Sequence, residues 1–247
     1  MKRSLILVLA ILTGFAVAAF STTFQDCFAV GKYFGNDPAV IHEKINEFES
    51  KLKADPSDNY ANLALGILYS ALATPADKPE KDAGKKAIQY TDTFLKKEPD
   101  NSLALIYNGL GHGFIARDSK NPIVKMSEVN KSSAICDKAV KFAEGKPFEW
   151  NIRFMRANFY GNLPGFFKKG EIAEKDYQFV ENEYSKNPSI EGAMPAAYFY
   201  LGEMKKSKGD LDNAVTYWKK SVSLGEKLTN ASYEVRTAKK RLETFAD

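Results

Sequence analysis

The amino-acid sequence predicts an all-α protein built from paired helices. Apolar residues recur every three or four positions along most of the chain, as they do on one face of a helix. Several of these predicted helices end at a short run that combines an acidic residue, a proline and a helix-capping residue, for example at 55–58 and 98–101. The alternation at every second residue that marks a half-buried strand is hard to find.

The first twenty residues are predicted to be a targeting segment. Lys2 and Arg3 precede an apolar core at 5–12, and small residues end it at 16–19. This order is typical of a secretory signal peptide, with cleavage after Ala18 or Ala19. The alternative is an uncleaved anchor, but 5–20 is shorter than the ~20 residues that span a bilayer. We therefore expect a signal peptide at 1–19, a helical domain at 20–247, no stable membrane span after cleavage, and a periplasmic or secreted protein.

Composition and charge exclude several classes of protein. The 247 residues are 44% hydrophobic and 27% charged, which is ordinary for a globular chain. The formal net charge of +4 falls to +2 without the leader, because Lys2 and Arg3 leave with it (33 basic minus 31 acidic residues). A nucleic-acid-binding surface needs a concentrated basic face, so we expect no nucleic-acid partner.

The predicted helices follow one another in pairs. The first carries Ile41, Ile45, Phe48 and Leu52 on one face, and a pair follows at 63–72 and 87–95. A Pro- and Lys-rich loop at 74–84 separates the two helices of that pair. Further pairs are predicted at 102–109 with 121–142, at 150–160 with 172–180, and at 195–202 with 214–221. A final helix at 230–245 caps the array.

The segment 195–226 carries the most regular pattern. Pro195 opens its first helix, and Gly209 with Asp210 makes the turn. The spacing of its large, small and aromatic residues resembles the tetratricopeptide repeat (TPR), a helix-turn-helix unit of about 34 residues. The matching residues are Tyr198, Leu201, Gly202, Ala214, Trp218 and Ser221, and the match lapses at Lys205 and Glu226. In this register Gly202 and Ala214 let the two helices approach closely.

The resemblance implies an α-α superhelix, a right-handed TPR-like solenoid of about four degenerate helix pairs plus flanking helices. A single pair cannot bury its own apolar face, so copies stack. The section at about 105–180 is also similar to exported bacterial TPR-like proteins of unassigned function. That likeness rests on 152–156, on 163–167, and on Arg117 with Asn121, Pro122 and Lys125.

Motifs for enzymatic chemistry or a cofactor are missing from the sequence. There is no nucleophile elbow, phosphate-binding loop, zinc-protease motif or dinucleotide fingerprint. The glycines at 109, 111 and 113 have helical neighbours, and we expect them to permit close helix packing. His42 and His112 lie 70 residues apart without the local spacing of a zinc site. We expect a non-catalytic protein with neither metal nor cofactor.

Arg153 and Arg156 are the most unusual polar residues, because they lie one turn apart on a strongly apolar helix. Two interpretations stay open. They form a clamp for an anion or carboxylate, or they pair with structural acids such as Asp137 or Asp176 on neighbouring helices. The turn at 163–167 raises a similar choice, since Phe166 and Phe167 either contact a partner or fill the gap between repeats.

In the TPR family the first helices line the concave surface, and the resemblance places a binding groove there. The residues assigned to it are Asn151, Arg153, Arg156, Asn158, Tyr160, Phe199, Glu203 and Lys206. The predicted function is a scaffold that binds a protein or peptide in this groove, and association with a second copy stays open. The alternative is an accessory subunit that binds a small anionic ligand for a periplasmic binding-protein-dependent (TRAP-type) transporter.

The two cysteines, Cys27 and Cys136, permit one disulfide in an exported chain. Their separation in sequence says nothing about proximity. A buried free thiol at Cys136, on an apolar helical face, is the other interpretation.

Overall fold

The computed structural model describes residues 22–33, 37–75, 78–229 and 232–245. The predicted signal peptide at 1–19 lies outside these residues. Within them the chain forms eleven α-helices and no β-strand, so the predicted all-α class is confirmed. No helix among them is long and apolar enough to cross a membrane. The helices are α1 (Phe24–Ala29), α2 (Pro38–Ala54), α3 (Asn59–Ala73), α4 (Ala83–Leu95), α5 (Ser102–Asp118), α6 (Pro122–Ala143), α7 (Glu149–Gly161), α8 (Gly170–Lys186), α9 (Met194–Ser207), α10 (Leu211–Lys227) and α11 (Tyr233–Phe245).

Four helical hairpins make up the body of the fold. The most extensive contacts join α3 to α4, α5 to α6, α7 to α8, and α9 to α10. We call α3, α5, α7 and α9 the first helices and their partners the second helices. First helices also meet across hairpins, α3 with α5 and α5 with α7, so these three form a continuous layer, and α9 contacts α8. The helices α1 and α2 flank this body at one end, and α11 flanks it at the other.

Capping residues set the helix boundaries that the sequence predicts. The side chains of Asp58, Asn101, Asn121 and Asp210 each accept a hydrogen bond from a backbone N–H in the first turn of α3, α5, α6 and α10. Proline occupies the first turn of α2, α6 and α9, where its missing N–H costs nothing. These local signals fix where the helices begin.

Three of the four hairpins cross at a glycine. A Cβ atom added to Gly202 would lie 2.5 Å from Nε1 of Trp218 and 3.1 Å from the carbonyl oxygen of Ala214. The same arrangement recurs at Gly66, whose added Cβ would lie 2.5 Å from Thr91 and 3.3 Å from the carbonyl of Ala87. In both hairpins the two contacted residues are four apart, so a single face of the second helix meets the glycine.

The second hairpin repeats this geometry with Gly109. Its added Cβ would lie 2.7 Å from Sγ of Cys136 and 3.3 Å from the carbonyl oxygen of Ser132. In the third hairpin Ala157 is buried with Ala173 and Tyr177. The predicted packing role of Gly109 is confirmed, and a close crossing at glycine recurs in three of the four hairpins.

The sequence did not predict α1. It is a six-residue helix followed by a 3₁₀ turn over Val30–Tyr33, too short to show a helical period. A capping box between Thr23 and Asp26 starts it. Cys27 and Val30 anchor the segment in the core, and both are buried.

Candidate functional site

The layer of first helices carries most residues that the sequence assigns to a groove. We call the side of this layer that faces away from the second helices the inner face. On α7, Asn151 and Asn158 are two turns apart along one side of the helix and both are half-buried. The amide oxygen of Asn158 accepts a hydrogen bond from the hydroxyl of Tyr177 at 2.6 Å. Asn151 is left as the partly exposed polar side chain at the start of α7.

Arg156 lies in a buried ion cluster between three helices. Its Nε and Nη2 atoms donate to the two carboxylate oxygens of Asp176, at 2.7 Å and 2.9 Å. Its Nη1 atom donates to Asp137 at 2.9 Å. Asp176 is only 1% exposed and Arg156 is 9% exposed, so this ion pair is almost completely shielded from solvent. This fork ties α7 to α8, and the third bond ties α7 to α6.

Arg153 completes the cluster one turn earlier. It donates to Glu149 at 2.7 Å and to Asp176 at 3.0 Å, and its guanidinium lies over the ring of Phe179 at 4.5 Å. Both arginines therefore pair with acids of this chain, as one of the two interpretations predicted. Arg153 thus makes two hydrogen bonds to carboxylates of this chain and Arg156 makes three.

Tyr160 extends the network toward α6. Its hydroxyl donates to Asp137 at 2.7 Å, and Nζ of Lys169 lies 4.6 Å from its ring centre. Burial of Arg156 on its own would lower its pKa, but the hydrogen bonds to Asp176 reverse the direction and raise it. Burial and the bond to Asp137 raise the pKa of Tyr160 well above its ordinary value. With Glu149, Asp137 and Asp176 facing Arg153, Arg156 and Lys169, the charges balance.

The other predicted groove residues meet α11 instead of solvent. Glu203 accepts two bonds of 2.9 Å from the guanidinium of Arg241, and Nζ of Lys206 lies 4.7 Å from the ring centre of Phe245. Phe199 is buried and its ring makes an edge contact with Tyr233. At this end of the molecule α11 covers the surface that the sequence assigned to a partner.

At the opposite end the inner face is covered by α1 and its 3₁₀ turn. Sγ of Cys27 donates to the carbonyl oxygen of Tyr60 on α3 at 3.1 Å, and the backbone N–H of Thr22 donates to Asp58 at 2.8 Å. The ring of Phe24 lies 5.4 Å from that of Phe148, next to the start of α7. Residues 22–33, which we call the N-terminal segment, therefore run over the first helices as a short helical ligand would.

Both cysteines are free and buried, so of the two interpretations the buried free thiol describes Cys136. Cys27 packs against α3, whereas Cys136 packs against Gly109 at the crossing of α5 and α6. Burial raises the pKa of each thiol to about 12, so neither is a thiolate at neutral pH.

The histidines pair with glutamates on neighbouring segments. His112 contacts Glu128 at 2.5 Å, and His42 contacts Glu80 at 2.6 Å. Glu80 lines a cleft of about 340 Å³ between the start of α2 and the end of α3. Across the described residues no three potential ligands converge to hold a metal ion.

The turn at 163–167 exposes one phenylalanine and packs Leu163 against the buried cluster of α7, α8 and α9. Phe166 is 67% exposed, and its ring contacts that of Phe167 at 4.4 Å between centres. Of the two predictions for this turn, the one with an outward-facing phenylalanine describes Phe166.

Comparison with protein-family models, curated proteins and solved structures finds no match to this chain.

Proposed function

We propose that this protein is an exported, non-catalytic scaffold that binds a protein or peptide segment on its inner face. Its four hairpins, three of which cross at a glycine, support a TPR-like right-handed superhelix as the architecture. Stacked hairpins of this kind offer an extended surface of first helices rather than an enclosed pocket, which suits an elongated partner.

The observation that carries this proposal is the position at which the N-terminal segment binds the first helices. A six-residue helix of the same chain already lies on α3, held by an aromatic contact, a buried Cys27 and a backbone hydrogen bond. These are the interactions by which a groove receives a short amphipathic helix. A partner segment of similar chemistry would bind beside it, along the inner face of α5 and α7.

Asn151 lies on the part of the inner face that is next to the N-terminal segment. It lies three residues after Phe148, which contacts Phe24, and it is half-buried rather than enclosed. An amide side chain can donate to and accept from the backbone of an incoming peptide at once. The ion cluster around Arg153 and Arg156 keeps α7 rigid, so the role of this cluster is to position the surface that carries Asn151.

Site-specific photocrosslinking tests the proposal. A photoreactive amino acid replaces Asn151 on the inner face or, as the matched control, Gln178, which is exposed on the second helix α8. We expect light-dependent adducts of discrete mass in the cell envelope from position 151 and none from position 178. Equal labelling from both positions, or adducts from position 178 alone, would refute the inner face as the binding surface.

The alternative of a small anionic ligand at Arg153 and Arg156 finds less support. Such a ligand would have to displace Asp176, which accepts three bonds from the two arginines at 3.0 Å or less. A bidentate pair in a nearly dry site is hard to break, because the released carboxylate would be buried without a partner.

A further inference from the structure

The exposed apolar side chains concentrate at one end of the molecule. We call this end the turn edge; it carries the connections within the four hairpins, at 74–75 with 78–82, 119–121, 162–169 and 208–210. Arg117 at the end of α5 donates to the carbonyls of Ala73 and Thr74 at the end of α3, which places the first two of these turns side by side. Among the described residues the large apolar side chains exposed at this edge are Val40, Ile123, Val124, Met126, Phe166 and Leu211.

The tip of the α5–α6 hairpin is exposed along its whole length at the start of α6. All seven residues from 121 to 127 are exposed, so about two turns of α6 lack a neighbouring helix. Ile123 is 79% exposed, and Val124 and Met126 are 39% and 44% exposed. The helix would form without apolar side chains at these exposed positions. Their exposure therefore predicts that another surface binds here and covers them.

The charges around the tip are positive. Residues 117–127 carry three basic side chains and one acid, a net charge of +2. The one acid, Asp118, is already paired with Arg117 at 2.7 Å. Lys120 and Lys125, together with Lys168 beside Phe166, are exposed and form no ion pair with the residues that the structure describes.

We propose that the turn edge docks on an anionic lipid surface. Ile123, Met126 and Phe166 insert among the headgroups, while Lys120, Lys125 and Lys168 contact lipid phosphates. A protruding tip with lysines around separate apolar side chains fits a bilayer interface, which accepts each side chain individually. A protein hot spot instead centres on a well-packed pocket. The turn edge contains none of the residues assigned to the inner face, so this inference is independent of the proposed function.

Local fluorescence on the full chain tests the docking. Ile123→Cys carries an environment-sensitive dye, and Ser57→Cys carries it at the opposite edge, in the exposed turn between α2 and α3. The native thiols are buried and stay unlabelled. With vesicles containing phosphatidylglycerol we expect a blue shift at position 123 and none at position 57. Because the readout is local, attachment through residues 1–19 would not imitate it.

Charge variants test the lysines. Lys120→Glu/Lys125→Glu/Lys168→Glu should weaken vesicle binding, read from the dye at position 123, about 100-fold at low salt. The matched control is Lys53→Glu/Lys96→Glu/Lys146→Glu, which changes the same charge at exposed positions near the opposite edge. It should leave the shift at position 123 within about twofold of the parent.

Several results would overturn the inference. They are an unchanged dye spectrum with anionic vesicles, an equal shift with neutral phosphatidylcholine, or equal losses in the two lysine triples. A blue shift that grows with protein concentration in the absence of lipid would overturn it too, since a second copy of the chain would then cover the tip. A shift at position 123 caused by a protein ligand and not by vesicles would assign the edge to a protein partner.

Discussion

Removing the guanidinium of Arg156 should destabilise the fold strongly. Arg156→Met deletes two bonds to Asp176 and one to Asp137, all at 2.9 Å or less. Asp176, at 1% exposure, then keeps a single charged partner, Arg153 at 3.0 Å. Breaking a buried pair from one side costs about 3–5 kcal/mol of unfolding free energy, because the remaining charge stays buried.

The double variant Arg156→Met/Asp176→Leu separates charge burial from packing. It removes the buried carboxylate together with its partner, so we expect it to regain most of the lost stability. Arg153→Met should cost less, about 1–2 kcal/mol, because its side chain is 20% exposed and Arg156 still holds Asp176.

Urea unfolding followed by far-ultraviolet circular dichroism measures these differences, with the slope m as a check on two-state behaviour. If Arg156→Met stays within about 1 kcal/mol of the parent, the arginine has no structural role and the ion-cluster argument fails. Loss of affinity for a small anion with unchanged stability would favour the carboxylate clamp instead.

Three further predictions follow from individual contacts. Gly109→Ala should cost about 1–3 kcal/mol, because the new Cβ would lie 2.7 Å from Sγ of Cys136, and Cys136→Ala should relieve part of that cost. Gly192→Ala, with open space around its Cβ position, is the neutral control in the same unfolding assay. Glu174→Gln should cost about 1 kcal/mol at pH 7, because the carboxylate pairs with Lys205 at 3.1 Å and with Lys208. Burial alone would raise the pKa of Glu174 and the two lysines lower it, so the contribution is present above the ordinary pKa of 4.5 and is lost as pH falls through the depressed folded-state value. The pairing would be contradicted if the loss of unfolding free energy in Glu174→Gln persisted unchanged at pH 2, or if it equalled the loss in Glu43→Gln. Cys27 and Cys136 should resist iodoacetamide in the native protein at pH 7.5 and react together in denaturant. Intact mass without reductant should show two free thiols, and a mass two hydrogens lower would show that the disulfide exists.

Local patterns in the sequence were enough to place most helices. Periodic apolar residues and capping side chains such as Asp58 and Asp210 act within a few residues, so both helix ends and hairpin turns can be read from them. The crossing at Gly202 was predictable because a short turn fixes its distance from Ala214 and Trp218. Ser132 and Cys136 opposite Gly109 were missed, because a longer helix and a different turn shift the register.

Long-range contacts decide the rest of the candidate site. The sequence shows Arg156 on an apolar helix, but its choice of Asp176 depends on how α7 meets α8. Glu203 and Lys206 lie where the TPR register places groove residues, and only the docking of α11 shows that Arg241 and Phe245 cover them. The N-terminal segment is too short for a periodic signal, so its seat on α3 could not be foreseen.

Binding of the N-terminal segment in trans tests the central claim most directly. Cys27→Asp places a carboxylate at a position with 0% exposure, near Asp26 and Asp58, so the segment should leave the inner face while the hairpins stay helical. A fluorescent peptide of residues 22–33 should then bind this variant saturably by fluorescence anisotropy. The intact parent chain should not bind it, because its own segment fills the site, and a scrambled peptide should bind neither. Equal binding to variant and parent, or no binding to a variant that keeps its helical circular dichroism, would contradict the inner face as a site for helical segments.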